Sequence, residues 1–383
     1  MPTPLHRIER LALPPASPGT VRELVVHRFG APGARPKAYL QASLHADEPP
    51  GMLVLHHLVT ALAAAAAGGA VKGEIVIVPY ANPIGLSQWV AGQHTGRYEL
   101  GGGGNFNRGY ADLTEAVALC VEDRLSGDAA ANVAAIRAAL LEALAARQPT
   151  SELDALRLAL LRLSLDADIV LDLHCDEEAL LHLYVAAASW PAAADLSAEL
   201  GSHATLLADS SGGAPFDEAH SLPWLNLQKQ LGARHPIPLA CLATTVELRG
   251  RADVSDALAA ADAASLHRFL QRRGVLAGDP GPLPPALCAA TPLAGADLVA
   301  APAGGILCFT RNLGDKVRAG ETVAEIVDPA ATDPAKARLP VAGRADGLIF
   351  TRTRDRLVRP GMVIAKIAGA VPLPHRTGSL LQD

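Results

Sequence analysis

Four short stretches of this chain carry residue types that chemistry can use. The first, Ser43-Leu44-His45-Ala46-Asp47-Glu48, follows directly on a β-rich run. A histidine and a glutamate three residues apart, in the turn leaving a strand, can point at one ion. Zinc accepts both an imidazole nitrogen and a carboxylate oxygen. Alone, the pair is common, and a solvated surface turn is the favoured reading. The second stretch, Leu171-Asp172-Leu173-His174-Cys175-Asp176, closes the most hydrophobic strand-like run, and ligands of α/β sheets gather at the carboxyl ends of strands. His45, Glu48 and His174 together supply the three protein ligands of a catalytic zinc, leaving a fourth position for water. Asp172 falls on the same strand face as His174, where it can accept a hydrogen bond from the ligand imidazole.

The third stretch is Thr244-Thr245-Val246-Glu247-Leu248-Arg249-Gly250, again at a strand end. A carboxylate beside a metal-activated water can take its proton and deliver it to a leaving amine. The plainer alternative for Glu247 is an exposed charge paired with Arg249 or Arg251. The fourth stretch runs from Gly96-Arg97-Tyr98-Glu99 through Gly101–Gly104 to Asn105-Phe106-Asn107-Arg108. Arginine offers a planar fork suited to a carboxylate, and a neighbouring amide can share the anion. No acidic residue lies nearer to Arg108 in sequence than Glu99 and Asp112. The glycines lack the GxxxxGK[ST] of a phosphate loop and read as a tight backbone wrap near the site.

These residues need elements to position them. Segments 21–28, 37–44, 74–80, 168–173, 181–187, 204–208 and 242–248 read as strands, and 51–66, 114–146 and 152–163 as helices. Residues 84–112 form a long aperiodic loop, a length that usually marks function. Such alternation predicts an α/β fold with a mixed, mostly parallel sheet flanked by helices. The assigned units are a catalytic α/β domain over 1–275, a Pro-rich linker over 276–292, a β domain over 293–370 and a tail over 371–383. Within the β domain, AGGILCFTRNLGDKVRAGETVAEIV and RADGLIFTRTRDRLVRPGMVIAKI form a weak internal repeat. Two such halves resemble the barrel-sandwich of biotinyl and lipoyl domains. Lys336, between the halves, lacks the Met or Asp flanks of a modified lysine, so a β cap over the active-site domain is the favoured reading.

Composition narrows the partners. With 33 Lys+Arg against 39 Asp+Glu, the 383 residues carry a formal charge of −6, which argues against nucleic acid as a ligand. Half the residues are hydrophobic and 19% charged, enough to bury a large core. Five cysteines without a CxxC pair argue against a disulfide scaffold. The N-terminus lacks the apolar region of a signal peptide, and the apolar run 58–71 is too short to span a bilayer. A soluble, cytoplasmic protein is expected, with a homo-oligomer left open.

Taken together, HxxE, an Arg with a later Asn-Arg, a strand-end Asp-Leu-His and a strand-end Glu occur in the order of the zinc carboxypeptidase clan. The variant resembles the succinylglutamate desuccinylase/aspartoacylase family, which also carries a C-terminal β domain, over about residues 20–370. That resemblance implies zinc at His45, Glu48 and His174, and Glu247 as general base and acid. It further implies Arg97 polarising the scissile carbonyl and Asn107 with Arg108 holding a substrate carboxylate. Two departures stand out: His-Gly-Asn-Glu is His-Ala-Asp-Glu here, and glycines lengthen the Arg97–Asn107 gap. The implied activity is hydrolysis of a small, carboxylate-bearing N-acyl amino acid. A carboxypeptidase is the first alternative, and a carrier or interaction protein acting through the barrel the second.

Overall fold

Nine strands form one sheet in the computed structural model, which describes residues 6–381. In chain order they are β1 (His6–Ala12), β2 (Glu23–Phe29), β3 (Lys37–Ala42), β4 (Glu74–Val78), β5 (Ile169–Asp176), β6 (His182–Val185), β7 (Ala204–Leu207), β8 (Leu242–Gly250) and β9 (Ala290–Pro292). Across the sheet they run β1-β2-β4-β3-β5-β8-β6-β7-β9. The β4–β3, β3–β5, β5–β8, β6–β7 and β7–β9 pairs are parallel. The β1–β2, β2–β4 and β8–β6 pairs are antiparallel. The sheet is therefore mixed and mostly parallel.

Helices cover both faces, so the central strands have no polar side to show to water. Helices α1 (Pro50–Ala67), α5 (Ala194–Leu200) and α7 (Asp256–Arg272) pack with Ala38, Leu40, Leu171 and Val246 on one face. On the other, α2 (Thr114–Val121), α3 (Ala129–Ala145), α4 (Glu152–Ser164) and α6 (Glu218–Leu231) pack with Tyr39, Val76 and Val170. Successive residues of β3 thus enter different cores, as strand alternation requires. Helix α1 begins at Pro50, whose missing N–H costs nothing in a first turn. Its 18 residues exceed the apolar run read from sequence and are long enough to cross a membrane. Here Val54, Leu55, Leu58 and Leu62 pack into the core against the sheet.

Three expectations need correction. The stretch 114–146 is not one helix: α2 ends in a 3₁₀ turn, Leu125 is extended, and Asp128 restarts the chain by capping α3 through Ala130 N and Ala131 N. A strand, β1, lies in an N-terminal region whose prolines concealed it. Loop 84–112 is also more ordered than its aperiodicity suggests. A hairpin there pairs Tyr98–Glu99 with Gly104–Asn105, and Gly102 and Gly104 supply the positive φ of its turn.

Beyond β9 the described residues form β strands joined by turns, two of them 3₁₀ (Leu293–Gly295 and Pro334–Lys336). Strands β10 (Ala296–Ala300), β14 (Gly347–Arg352) and β15 (Val363–Gly369) form one sheet, to which Glu178–Ala179 of the α/β unit adds an edge. A second sheet holds β11 (Gly305–Phe309), β12 (Thr322–Val327) and β13 (Arg338–Ala342). Lys336 sits in an exposed turn before β13, 3.6 Å from Asp333. The expected α/β fold with a small all-β C-terminal region is present.

Asp168, at the entrance to β5, ties three elements together. Its carboxylate accepts from Lys37 N (2.5 Å), Arg137 (2.6 Å) and Arg35 (3.1 Å). Burial raises its pKa, but these donors and charges outweigh burial and hold it below the ordinary aspartate value. A depressed folded pKa stabilises above the unfolded value, about 3.9, and that contribution is lost as pH falls through the folded pKa. Asp168→Asn is expected to cost about 1–2 kcal/mol at pH 7. Urea unfolding at pH 7 and pH 3 is expected to show the gap from wild type shrinking at the lower pH.

Candidate functional site

The turn after β3 opens with Ser43 in a left-handed conformation (φ 60°), and Glu48 N closes onto His45 O at 3.1 Å. Gly96 presses against this turn from the Arg97 loop, and its carbonyl oxygen accepts from Ala46 N at 2.9 Å. A Cβ on Gly96 would sit 2.3 Å from Asp47 N, so the close approach requires glycine. Because β3 and β5 are parallel neighbours, both carboxyl ends emerge on the same side. His174 thereby meets His45.

The meeting point is Glu48. One carboxylate oxygen is 2.9 Å from His45 Nδ1, and the other is 2.8 Å from His174 Nδ1 and accepts from Cys175 N at 3.1 Å. Ligand atoms of all three side chains lie within 4.8 Å of one another. The outer imidazole nitrogens are held separately: His45 Nε2 lies 2.9 Å from Asn105 Oδ1, and His174 Nε2 lies 2.9 Å from Asp172 Oδ2. Oxygen partners behind both Nε2 atoms hold the rings so that both Nδ1 atoms face Glu48. Two imidazoles with oxygen partners behind them, plus one carboxylate, make a donor set that zinc fits. Behind Asp172 the bonding continues inward, with Gln41 Nε2 donating to Asp172 (3.0 Å) and Tyr39 OH donating to Gln41 (2.7 Å).

Charge is strongly coupled here. Burial raises the Glu48 carboxyl, yet His45 and His174 outweigh it and hold the group well below the carboxylate range. Burial lowers His174, but Asp172 and Glu48 carry it well above the ordinary histidine value. Glu247 pairs with His174 across the β8–β5 register, so the two side chains stand side by side on one face. Burial, then the Glu48 charge, push its carboxyl up to about 8. Its Oε2 is buried without a hydrogen bond among the described residues. The plain alternative of an ion pair does not occur: Arg249 binds Asp262, and Arg251 binds Asp47 at 3.1 Å.

Arg97 reaches Glu48 at 3.3 Å. Asn107 places Nδ2 3.4 Å from His174 Nε2, while its Oδ1 accepts from Phe216 N at 2.8 Å. Arg108 donates to Asn107 O at 2.7 Å, and its stem packs on Gly213. His45, Glu48, Arg97, Asn107, Arg108, His174 and Glu247 all line one cavity of ≈ 840 Å³, with Asp172 fully buried behind it. Sequence reading missed Asn105, Gln41, Asp217 and Lys366. Asn105 belongs to a quoted motif, and Gln41 is a polar residue inside a buried strand, so both had a signal. Asp217 is raised to about 7 by burial and then by Glu218. Lys366 comes from β15, reaches into the cavity and binds Asp176. Nothing local marked either.

Residues 34–272 match the model of the succinylglutamate desuccinylase/aspartoacylase catalytic domain. The chain belongs to this family of hydrolases. A succinylglutamate desuccinylase/aspartoacylase family protein from Shewanella amazonensis superposes with a TM-score of 0.84 at 25% identity, over 94% of this chain and 98% of its own. A counterpart from Shewanella frigidimarina gives 0.82 at 24%, over 96% and 98%. The product-bound ectoine utilization protein EutE (DoeB) from Ruegeria pomeroyi shares the fold at 0.65 and 18% identity, over 96% and 98%. No curated protein matches the chain.

The pair Lys366–Asp176 joins the two regions of the chain at the cavity wall. Burial lowers the lysine's pKa, but the Asp176 charge outweighs it and raises the group above its ordinary value. Lys366→Ala leaves Asp176 without its cation and is expected to cost about 2 kcal/mol in urea unfolding. A change within 0.5 kcal/mol would show that the pair does not hold the regions together.

Proposed function

We propose that this chain is a zinc-dependent hydrolase that cleaves the amide bond of a small N-acyl amino acid. The observation that carries the reading is the convergence of His45 Nδ1, His174 Nδ1 and Glu48, with oxygen partners behind both rings. His45, Glu48 and His174 would hold the metal, which when bound lowers the pKa of a water to about 7 and polarises a carbonyl. In this reading Glu247 takes the proton of the attacking water and returns it to the leaving amine. Arg97, beside Glu48, faces the oxygen of the scissile carbonyl, where its charge counts most as negative charge develops. Asn107 and Arg108 take the substrate carboxylate. The β domain over 293–370 would narrow the entrance to the catalytic domain over 1–275 and favour small substrates. Free cysteines, from Cys120 to Cys308, agree with a reducing, cytoplasmic location.

Metal analysis of the purified protein is expected to give one zinc per chain, and His45→Ala is expected to lose it. Stoichiometric zinc in that variant would remove the site. Glu247→Gln is expected to keep the metal while hydrolysis of N-acyl amino acids falls by about 10²–10⁴-fold. Loss of metal in Glu247→Gln would make the residue a ligand instead. For the carboxylate site, Arg108→Ala is expected to raise KM far more than it lowers kcat. The carboxamide of a good substrate is expected to be a poor one, and equal turnover of acid and carboxamide would dismiss the anion role.

A further inference from the structure

Past the metal-ligand set, the cavity continues sideways across the sheet. Asp172, Thr245, Tyr184 and Leu206 are successive partners across β5, β8, β6 and β7. Three strand spacings of about 4.8 Å put Leu206 roughly 14 Å from the Asp172 strand. Chemistry changes along that row. Near Asp172 the wall is ionic; at its far end Tyr184, Leu206 and Leu293 cluster with Phe350 of the β domain and with Leu380. The chain's last described residues close this end. Leu380 N and Leu381 N both donate to Ser211 O (2.8 and 3.2 Å), so Leu380 and Leu381 form part of the cavity lining.

Besides Arg108, four cations of the cavity bear on the same point. Arg97 binds Glu48, Arg251 binds Asp47, Arg352 binds Glu178 at 3.1 Å, and Lys366 binds Asp176. Each is matched by a carboxylate of the chain. Arg359 lies exposed on the rim. A carboxylate on the acyl part, such as a succinyl group carries, would have to displace one of these pairs or reach the rim. A hydrocarbon group would find a wall already made for it.

We propose that the apolar arm binds a hydrocarbon group of the substrate, making the preferred substrate an amphipathic N-acyl amino acid with one free carboxylate and no carboxylate on its acyl part. The proposal rests on the deacylase reading above and specifies its substrate class. The hydrocarbon group is the acyl chain or the amino-acid side chain, and the two are separated by experiment.

The zinc-loaded full chain is assayed on two series. One is N-acylglycines from acetyl to octanoyl together with N-succinylglycine; the other is N-acetyl amino acids from glycine to 2-aminooctanoate. In one series kcat/KM is expected to rise about fourfold per methylene, the fold-change of about 0.8 kcal/mol of apolar burial. The series that rises names the group in the arm. Leu381→Asn, a change at a half-buried position, is expected to flatten that rise. A flat or falling profile in both series, or N-succinylglycine as the best substrate, overturns the proposal. Calorimetric binding of N-octanoylglycine, N-acetylglycine and N-acetyl-2-aminooctanoate reads the arm without turnover. If no amide is cleaved but either long-chain compound binds at least tenfold tighter than N-acetylglycine, the arm stands and the deacylase reading falls. If neither binds tighter, the arm falls whatever the activity.

Discussion

A single carboxylate organises this protein's chemistry. Glu48 is 4% exposed, and an ionised carboxylate removed from water costs several kcal/mol unless its oxygens are satisfied. Both are. One faces His45, and the other faces His174 and accepts from Cys175 N. Meeting that demand requires two segments 126 residues apart in the chain to end at the same height. Parallel pairing of β3 with β5 achieves this, because parallel neighbours present their carboxyl ends together. The left-handed Ser43 and the contact with Gly96 then turn the first segment back over the second.

The same demand repeats outward at lower stakes. Asp172, fully buried, is satisfied by His174 and Gln41, and Gln41 in turn by Tyr39. A chain of hydrogen bonds thus runs from the His45–Glu48–His174 cluster into the apolar core. Such a series fixes the ring of His174 more firmly than packing alone, since rotating the ring would orphan a buried acceptor. At the cavity mouth the acids are met instead by arginines and a lysine, two of them from the β domain. The β region therefore takes part in the cavity itself. It contributes the charges that let Asp176 and Glu178 stand there, and with Leu380 it completes an apolar end wall.

Much of this was legible in residue order. HxxE after a β-rich run, Asp-Leu-His at the end of a buried strand, and Glu247 at the end of another each carried a local mark: a polar residue where an apolar run stops. Strand alternation placed Asp172 and His174 on one face before any coordinates, because a side-chain period of two allows nothing else. The helix break at 125–128 was missed since alanine and leucine favour helix on both sides of it. Ser126-Gly127-Asp128 is the turn and cap signal between them, and the structure uses it, with Leu125 extended and Asp128 capping α3.

By itself, then, the sequence determined the donor types, the strand ends that carry them and the α/β class. All of these follow from short-range periodicity and from the few residue types able to bind metal or move protons. Tertiary structure decided the rest. Lys366 is 190 residues from Asp176, and no local pattern predicts which acid a distant lysine will neutralise. Asn105 rather than Asn107 stands behind His45, a choice made by the hairpin's register. The apolar cluster of Tyr184, Leu206, Leu293, Phe350 and Leu380 forms only because β6, β7, the strands beyond β9 and the last described residues converge. Long-range pairing sets such contacts through burial and charge neutralisation, which act on atoms close in space however far apart they are in the chain.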